Sequence, residues 1–178
     1  MVTTVRQATV VDAAALHELA AATFPMACPP GTPQADIDDF IAHHLSRDDF
    51  SAYLTDPDRS LLLAEVDGRA AGYTMLIVGE PIDPDVARAI TVRPTAELSK
   101  CYVRSEQHGA GLAATLMAAT LQAAWELGVA SVWLGVNQQN ERAFRFYQKS
   151  GFVVVGTKHF HLGDRVEDDH VLEHILPV

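Results

Sequence analysis

Apolar and polar positions recur with two periods along the chain, and the switches between them divide it into elements. Thr3 to Thr9 alternates in polarity and predicts a short strand. Asp12 stands where a helix N-cap is expected, before a face of Leu16, Leu19 and Ala20, and Phe24-Pro25 is expected to end that helix. After the stiff CPPGTP turn, Thr32 is placed to cap a second helix with Pro33 in its first position. The stripe of that helix is Ile37, Phe40, Ile41 and Leu45. Residues 49–54 read as one or two further helical turns. Leu61–Val66 and Arg69–Val78 are apolar runs joined by Asp67-Gly68, the strongest short-range sign of a β-hairpin. Residues 79–95 form a proline-punctuated loop with room for a short helix capped by Asp83. A loop of this length in a compact domain is often functional.

From Leu98 the order becomes strand, helix, strand, helix, strand. Residues 98–103 are apolar and β-prone. Gly111 to Leu127 is helical, with Leu112, Leu116, Ala119 or Thr120, and Ala123 or Ala124 on its buried stripe, and Gly128 stops it. Strand 131–136 follows, then a helix from Asn140 to Ser150 stopped by Gly151. A strand from Phe152 to about His161 and another from Asp169 to Leu176 close the chain. This order predicts one α/β domain over residues 1–178, built on a mixed sheet with a βαβ crossover in its second half.

Composition narrows the setting. A chain of 178 residues, 48% hydrophobic and 20% charged, can bury a core without disulfides or metals. Cys28 and Cys101 match neither a metal spacing nor a disulfide framework, so a reducing cytoplasm is expected. The N-terminus lacks a signal-peptide layout, and no apolar run is long enough to span a membrane. The formal net charge of −10 argues against nucleic acid or an anionic membrane as partner. It favours the approach of a cationic small molecule, although taken alone such acidity is better explained by solubility.

The chemistry concentrates in YVRSEQHGAGLAATLM, which joins a strand to a helix through Gly109 and Gly111. Glycines there let a ligand reach the free amides of a helix N-terminus, an anion site by construction. A phosphate or pyrophosphate over residues 108–113 is one reading; an ordinary strand-to-helix turn is the other. A P-loop is excluded because its Lys-Ser/Thr pair is missing. Gly109, Gly111 and Ala114 imitate a dinucleotide fingerprint, but the next strand, SVWLGVN, ends without the acidic residue that would hold the ribose.

His108-Gly109-Ala110-Gly111-Leu112-Ala113 resembles the acetyl-CoA pyrophosphate loop of the GCN5-related N-acetyltransferases, Q/R-x-x-G-x-G/A. Gly111 and Ala113 match it, and His108 stands where Gln or Arg is usual. Downstream, Asn140, Ala143, Tyr147, Gly151 and Phe152 match the family's second motif, N-x-x-A-x-x-x-Y-x-x-x-G-F. Asn140, Phe144 and Tyr147 share one helical face. ELSKCYV and KHFHLGD carry a narrower similarity to bacterial polyamine acetyltransferases of the PaiA type.

The resemblance implies an α/β (α+β) fold with a mostly antiparallel central sheet flanked by helices. It also implies direct acetyl transfer from acetyl-CoA to a primary amine in a ternary complex. The implied acetyl-CoA contacts are Tyr102, Val103, His108, Gly109, Ala110, Gly111, Leu112, Ala113, Asn140, Arg142, Phe144, Tyr147 and Lys149. Tyr147 would protonate the leaving thiolate, and Glu97 is the candidate base. Cys101 reads as a buried core thiol and not a nucleophile. His159 and His161, two apart on a strand, share a face that could reach the acceptor; without a third ligand no metal site is expected. His170 and His174 read as surface residues. Segments 24–34, 79–97 and 160–168 are expected to line the acceptor cleft. Their acids, Asp36, Asp38, Asp39, Glu80, Asp83, Asp85, Glu97, Asp164, Glu167 and Asp168, favour a polyamine or other cationic acceptor. The alternative is a CoA-binding regulatory module without turnover. The sequence leaves a homodimer open.

Overall fold

Asp67 and Gly68 both sit at positive φ, 50° and 78°, the two-residue turn whose twist matches that of its flanking strands. In the computed structural model, which describes residues 1–178, this turn joins β2 (Arg59–Val66) to β3 (Arg69–Val78) in antiparallel register from Val66↔Arg69 to Arg59↔Ile77. The other strands are β1 (Thr3–Gln7), β4 (Thr95–Val103), β5 (Ser131–Asn137), β6 (Val153–Leu162) and β7 (Arg165–Ile175). Together they form one seven-stranded sheet in the order β1-β2-β3-β4-β5-β7-β6. Every neighbouring pair is antiparallel except β4 with β5.

The helices are α1 (Ala13–Ala27), α2 (Gln34–His44), α3 (Arg47–Thr55), α4 (Pro84–Ala89), α5 (Leu112–Glu126) and α6 (Glu141–Lys149). Helices α1 to α3 bury Leu16, Leu19, Phe24, Ile37 and Phe50 against Leu61, Leu63, Tyr73 and Met75 on one sheet face. On the other face α5 buries Leu112, Leu116, Met117 and Ala124, and the aromatic residues of α6 pack against the same cluster. A bond of 2.8 Å between the hydroxyls of Thr74 and Thr120 pins α5 to β3 inside this apolar layer.

Several helix boundaries differ from the expected ones. α1 opens after Asp12, as expected, but the Asp12 side chain does not cap it. The Asp12 carboxylate accepts from the Thr9 N–H at 2.8 Å and from Arg6 at 2.8 and 2.9 Å, so it closes a capping box over a short 3-10 turn that runs into α1. Pro25 does not end α1, which continues to Ala27. Proline here removes the N–H that would reach the carbonyl four residues back, and the stacking of Phe24 on Phe40 at 4.5 Å holds the last turn in place. The Thr32 hydroxyl donates to the Pro29 carbonyl at 2.6 Å and so tightens the turn instead of capping α2. Ser46 caps α3 reciprocally with Asp49, which lengthens it beyond residues 49–54.

Two irregularities open the sheet. Parallel pairing of β4 with β5 stops after Thr95↔Ser131, Ala96↔Val132 and Glu97↔Trp133. Beyond Glu97 the two strands part. On its other edge, β4 pairs Leu98 with Leu76 and then Lys100 with Met75, so Ser99 is an extra, bulged residue.

Candidate active site

The wedge between β4 and β5 is the floor of a cavity of about 700 Å³ that reaches both faces of the sheet. The bulge at Ser99 decides which side chains look into each half. Strict alternation would put Glu97 and Lys100 on opposite faces. With one residue bulged out, Glu97, Lys100 and Tyr102 oppose Ile77, Met75 and Tyr73 and share the face covered by α1 to α3. Leu98, Cys101 and Val103 turn to the face covered by α5 and α6.

The half under α5 and α6 is bounded by the glycine loop. Gly109 and Gly111 have φ of 81° and 83°, and no atom lies within 4 Å of where a Cβ would stand on either. Gly111 ends the loop, and the amides of Leu112 to Ala114 have no helical partner, as in any first turn. The His108 ring folds back, its Nε2–H donating to the Val103 carbonyl at 3.1 Å, and ties the loop to the end of β4. Arg104 donates its N–H to the Ala71 carbonyl on β3; strand alternation therefore turns the Val103 N–H toward the open edge.

Helix α6 supplies the opposite wall through Ala143, Phe146 and Tyr147. Asn140 caps it, its Oδ1 accepting from the Ala143 N–H at 3.2 Å. Burial raises the Tyr147 phenol well above 10, and neighbouring Cys101 and Tyr102 add to the rise. Burial also pushes the Cys101 thiol up to about 12, against the opposing effect of the Tyr147 hydroxyl. Both groups are therefore protonated at neutral pH, and Cys101 is a poor nucleophile. A shallower groove continues outward past Gly109 and carries Arg142, Arg145 and Lys149.

The other half is apolar and mixed in charge. Phe24, Phe40 and Phe160 form an aromatic wall, with ring centroids 4.5 and 5.7 Å apart, beside Leu45 and Leu162. Lys158 pairs with Asp169 at 3.7 Å, and Glu167 with Arg165 at 3.3 Å. One oxygen of Asp169 is buried without a partner, and burial raises that carboxyl. Burial raises the Glu97 carboxyl too, against the pull of Lys158, Lys100 and Arg59. It pushes the Lys100 ammonium down to about 8, against the opposing effect of Glu97.

Of the residues singled out in the sequence, Glu97, Tyr102, Val103, His108, Gly109, Gly111, Ala113, Asn140, Arg142 and Tyr147 line this one cavity. Four do not. Leu112 is buried on the core-facing side of α5, and Ala110 is exposed in the loop away from the wall. Phe144 packs on His170 at 4.8 Å, leaving its expected place to Phe146. Lys149 lies in the adjoining groove. Lys158, Phe160 and Leu162 look into the cavity, so His159 and His161 are on the outer side of β6, where His159 meets Asp168 at 3.0 Å. His170 and His174 are half-buried, not surface residues, and His174 packs on Phe152 at 5.3 Å. Among the ten acids expected around the cleft, Glu97 and Glu167 line it. Lys100, Lys158, Asp169 and Phe40 were missed, whereas Phe24 and Phe160 fall in segments 24–34 and 160–168, which were expected to line the cleft. A lysine inside the apolar run ELSKCYV was the available signal, but the bulge that aims it leaves no mark in the pattern.

The family model described as "Acetyltransferase (GNAT) family" matches residues 13–152, which hold both the glycine loop and α6. The chain belongs to this acetyltransferase family. GNAT relatives include an uncharacterized N-acetyltransferase of Mycobacterium tuberculosis, 47% identical over 161 residues, covering 90% of this chain and 96% of the relative. A crystal structure of the PaiA N-acetyltransferase of Thermoplasma acidophilum in complex with coenzyme A superposes with a TM-score of 0.78 at 21% identity, covering 98% of this chain and 99% of that one. The Salmonella typhimurium acetyltransferase yncA with acetyl-CoA gives 0.68 at 22% identity, covering 100% and 96%. These likenesses show the GNAT fold, including the mostly antiparallel sheet. No group of three or more His, Cys, Asp or Glu side chains is placed to hold a metal ion, and no helix is long and apolar enough to cross a membrane.

Proposed function

We propose that the α5–α6 half of the cavity holds acetyl-CoA, that the α1–α3 half holds a primary amine, and that acetyl passes directly between them where β4 and β5 part. The observation that carries this reading is the cleft itself, an open β4 edge with the glycine loop at one end and Tyr147 across from it. The site fits the group. Open space over Gly109 and Gly111, the free amides of α5 and the cations Arg142, Arg145 and Lys149 suit a pyrophosphate and a phosphate. The Thermoplasma and Salmonella relatives, crystallised with coenzyme A and acetyl-CoA, support it.

Bound there, acetyl-CoA supplies an activated acyl carbon and a thiolate leaving group. The residues of the chain do the rest. The Val103 N–H, on the open edge, donates to the carbonyl oxygen as its charge grows. Glu97 takes the proton of the amine; its burial makes it a stronger base than an exposed glutamate. Tyr147, protonated at neutral pH, gives its proton to the thiolate. A Cys101 thiol held near 12 argues against an acyl-cysteine route and for attack within a ternary complex.

A polyamine acceptor loses much of its motivation. Of the acids that suggested it, only Glu97 and Glu167 face the cavity; Glu167 pairs with Arg165, and Lys100 shares the face of Glu97. The reading retained is a primary amine. A thiol-release assay across polyamines, amino acids, aminoglycosides and N-terminal peptides tests it. Acetyl-CoA binding without release for any amine would make the chain a CoA-binding module without turnover.

A further inference from the structure

Lys100 is a half-buried ammonium on the wall of the acceptor half that enters no ion pair and no hydrogen bond. A cation held partly out of water in a cavity with apolar walls is stabilised when something of opposite charge meets it. Every carboxylate around Lys100 has other business or stands apart. Asp49 is held in the Ser46 capping box at 2.7 and 3.0 Å. Asp169 holds Lys158, and Glu167 holds Arg165. Glu97 shares the face but enters no ion pair; its backbone lies roughly 7 Å from that of Lys100, since the two oppose residues two apart on β3. Arg59, the nearby cation, is taken up by Asp56 at 3.0 Å and by the Tyr53 ring. Lys100 itself lies 5.8 Å over that same ring. The acceptor half thus presents one uncommitted carboxylate, one uncommitted ammonium and an aromatic wall.

We infer that the acceptor is an amine bearing a carboxylate, seated with the amine toward Glu97, the carboxylate on Lys100 and an apolar body against Phe24, Phe40 and Phe160. The inference rests on the acetyl-CoA and primary-amine reading above and narrows its substrate class to amino acids or short peptides with an apolar side chain. A doubly charged phosphate fits less well, because Glu97, Glu167 and Asp169 share the wall and would repel it. An acceptor with no anion leaves Lys100 unpaired, and a polyamine adds like charge beside it.

The test is kcat/KM, by thiol release from acetyl-CoA, for phenylalanine, phenylalaninamide, phenethylamine and spermidine. Wild type should favour phenylalanine. Lys100→Met should lower kcat/KM for phenylalanine, chiefly through KM, by ~10- to 100-fold more than for phenethylamine, the range expected of a charge-assisted hydrogen bond. Comparing variant with wild type cancels the differing reactivity of the amines. Lys100→Arg, which keeps the charge, should retain most of the preference, and thermal melts of both variants confirm folding. Equal use of the four amines, a preference for spermidine, or a folded Lys100→Met that weakens phenylalanine and phenethylamine alike would overturn the inference and leave the amine reading standing. Acetyl-CoA binding with no thiol release for any of the four, nor for a wider amine panel, would overturn both.

Discussion

Lys100 is expected to weaken the protein that carries it. Burial takes its ammonium from an ordinary 10.5 to about 8. At 1.36 kcal/mol per pH unit, that difference costs the folded state about 3 kcal/mol while the group is charged in both folded and unfolded chains. The sign follows from linkage. Below about 8 both states hold the proton and the full cost applies. Between about 8 and 10.5 the folded state gives its proton up first and the cost fades; above 10.5 it is gone. Methionine fills a similar volume without a charge, so Lys100→Met should be more stable than wild type at pH 7 by up to about 3 kcal/mol, or ~6–12 °C in Tm for a chain of this length. Urea unfolding of both proteins at pH 7 and near pH 10, without ligands, measures it. The gap should be largest at pH 7 and shrink toward pH 10. A variant less stable than wild type at pH 7, or a gap indifferent to pH, would refute the claim that Lys100 is a strained charge kept for a ligand.

Gly111→Asp places a carboxylate over the α5 amides at a φ of 83° that side chains rarely adopt; calorimetry should find acetyl-CoA affinity lost in a protein that still folds, and unchanged affinity would remove the loop from the site. Tyr147→Phe should lower kcat by ~10²–10⁴-fold with little change in the acetyl-CoA Kd, read by steady-state kinetics beside calorimetry. With Glu97 as base, the rate should rise with pH through an ionisation above an ordinary glutamate's 4.5, because burial raises it; Glu97→Gln should abolish that limb of the profile, and a limb that survives assigns the base elsewhere.

The sequence made the cofactor half legible and left the acceptor half largely hidden. Gly109, Gly111, Asn140 and Tyr147 form contiguous motifs because a helix N-terminus and a single helix face are local structures. The hairpin at Asp67-Gly68 was equally local. The capping boxes that begin at Thr9 and Ser46 were passed over because each depends on which of two nearby polar residues gives its side chain to the backbone. The acceptor half is assembled from α1, α2, β4, β6 and β7, and its orientation depends on one bulged residue, Ser99. Period-two reading of β6 correctly set His159 with His161 and apart from Lys158 and Phe160. It carried no information about which set faced inward; that is decided by the packing of Phe160 against Phe40 at 5.7 Å. Counting acids in nearby segments failed for the same reason, since Asp36 and Asp168 are near the cleft in sequence without lining it.

The most direct test of the account is to incubate the purified chain with acetyl-CoA carrying a labelled acetyl group and an amine panel, and to follow thiol release and the mass of each amine together. The account predicts label on an amine nitrogen in step with the thiol released, and no label retained on the protein at Cys101. Label held on Cys101, or thiol released with no acetylated amine, would contradict it.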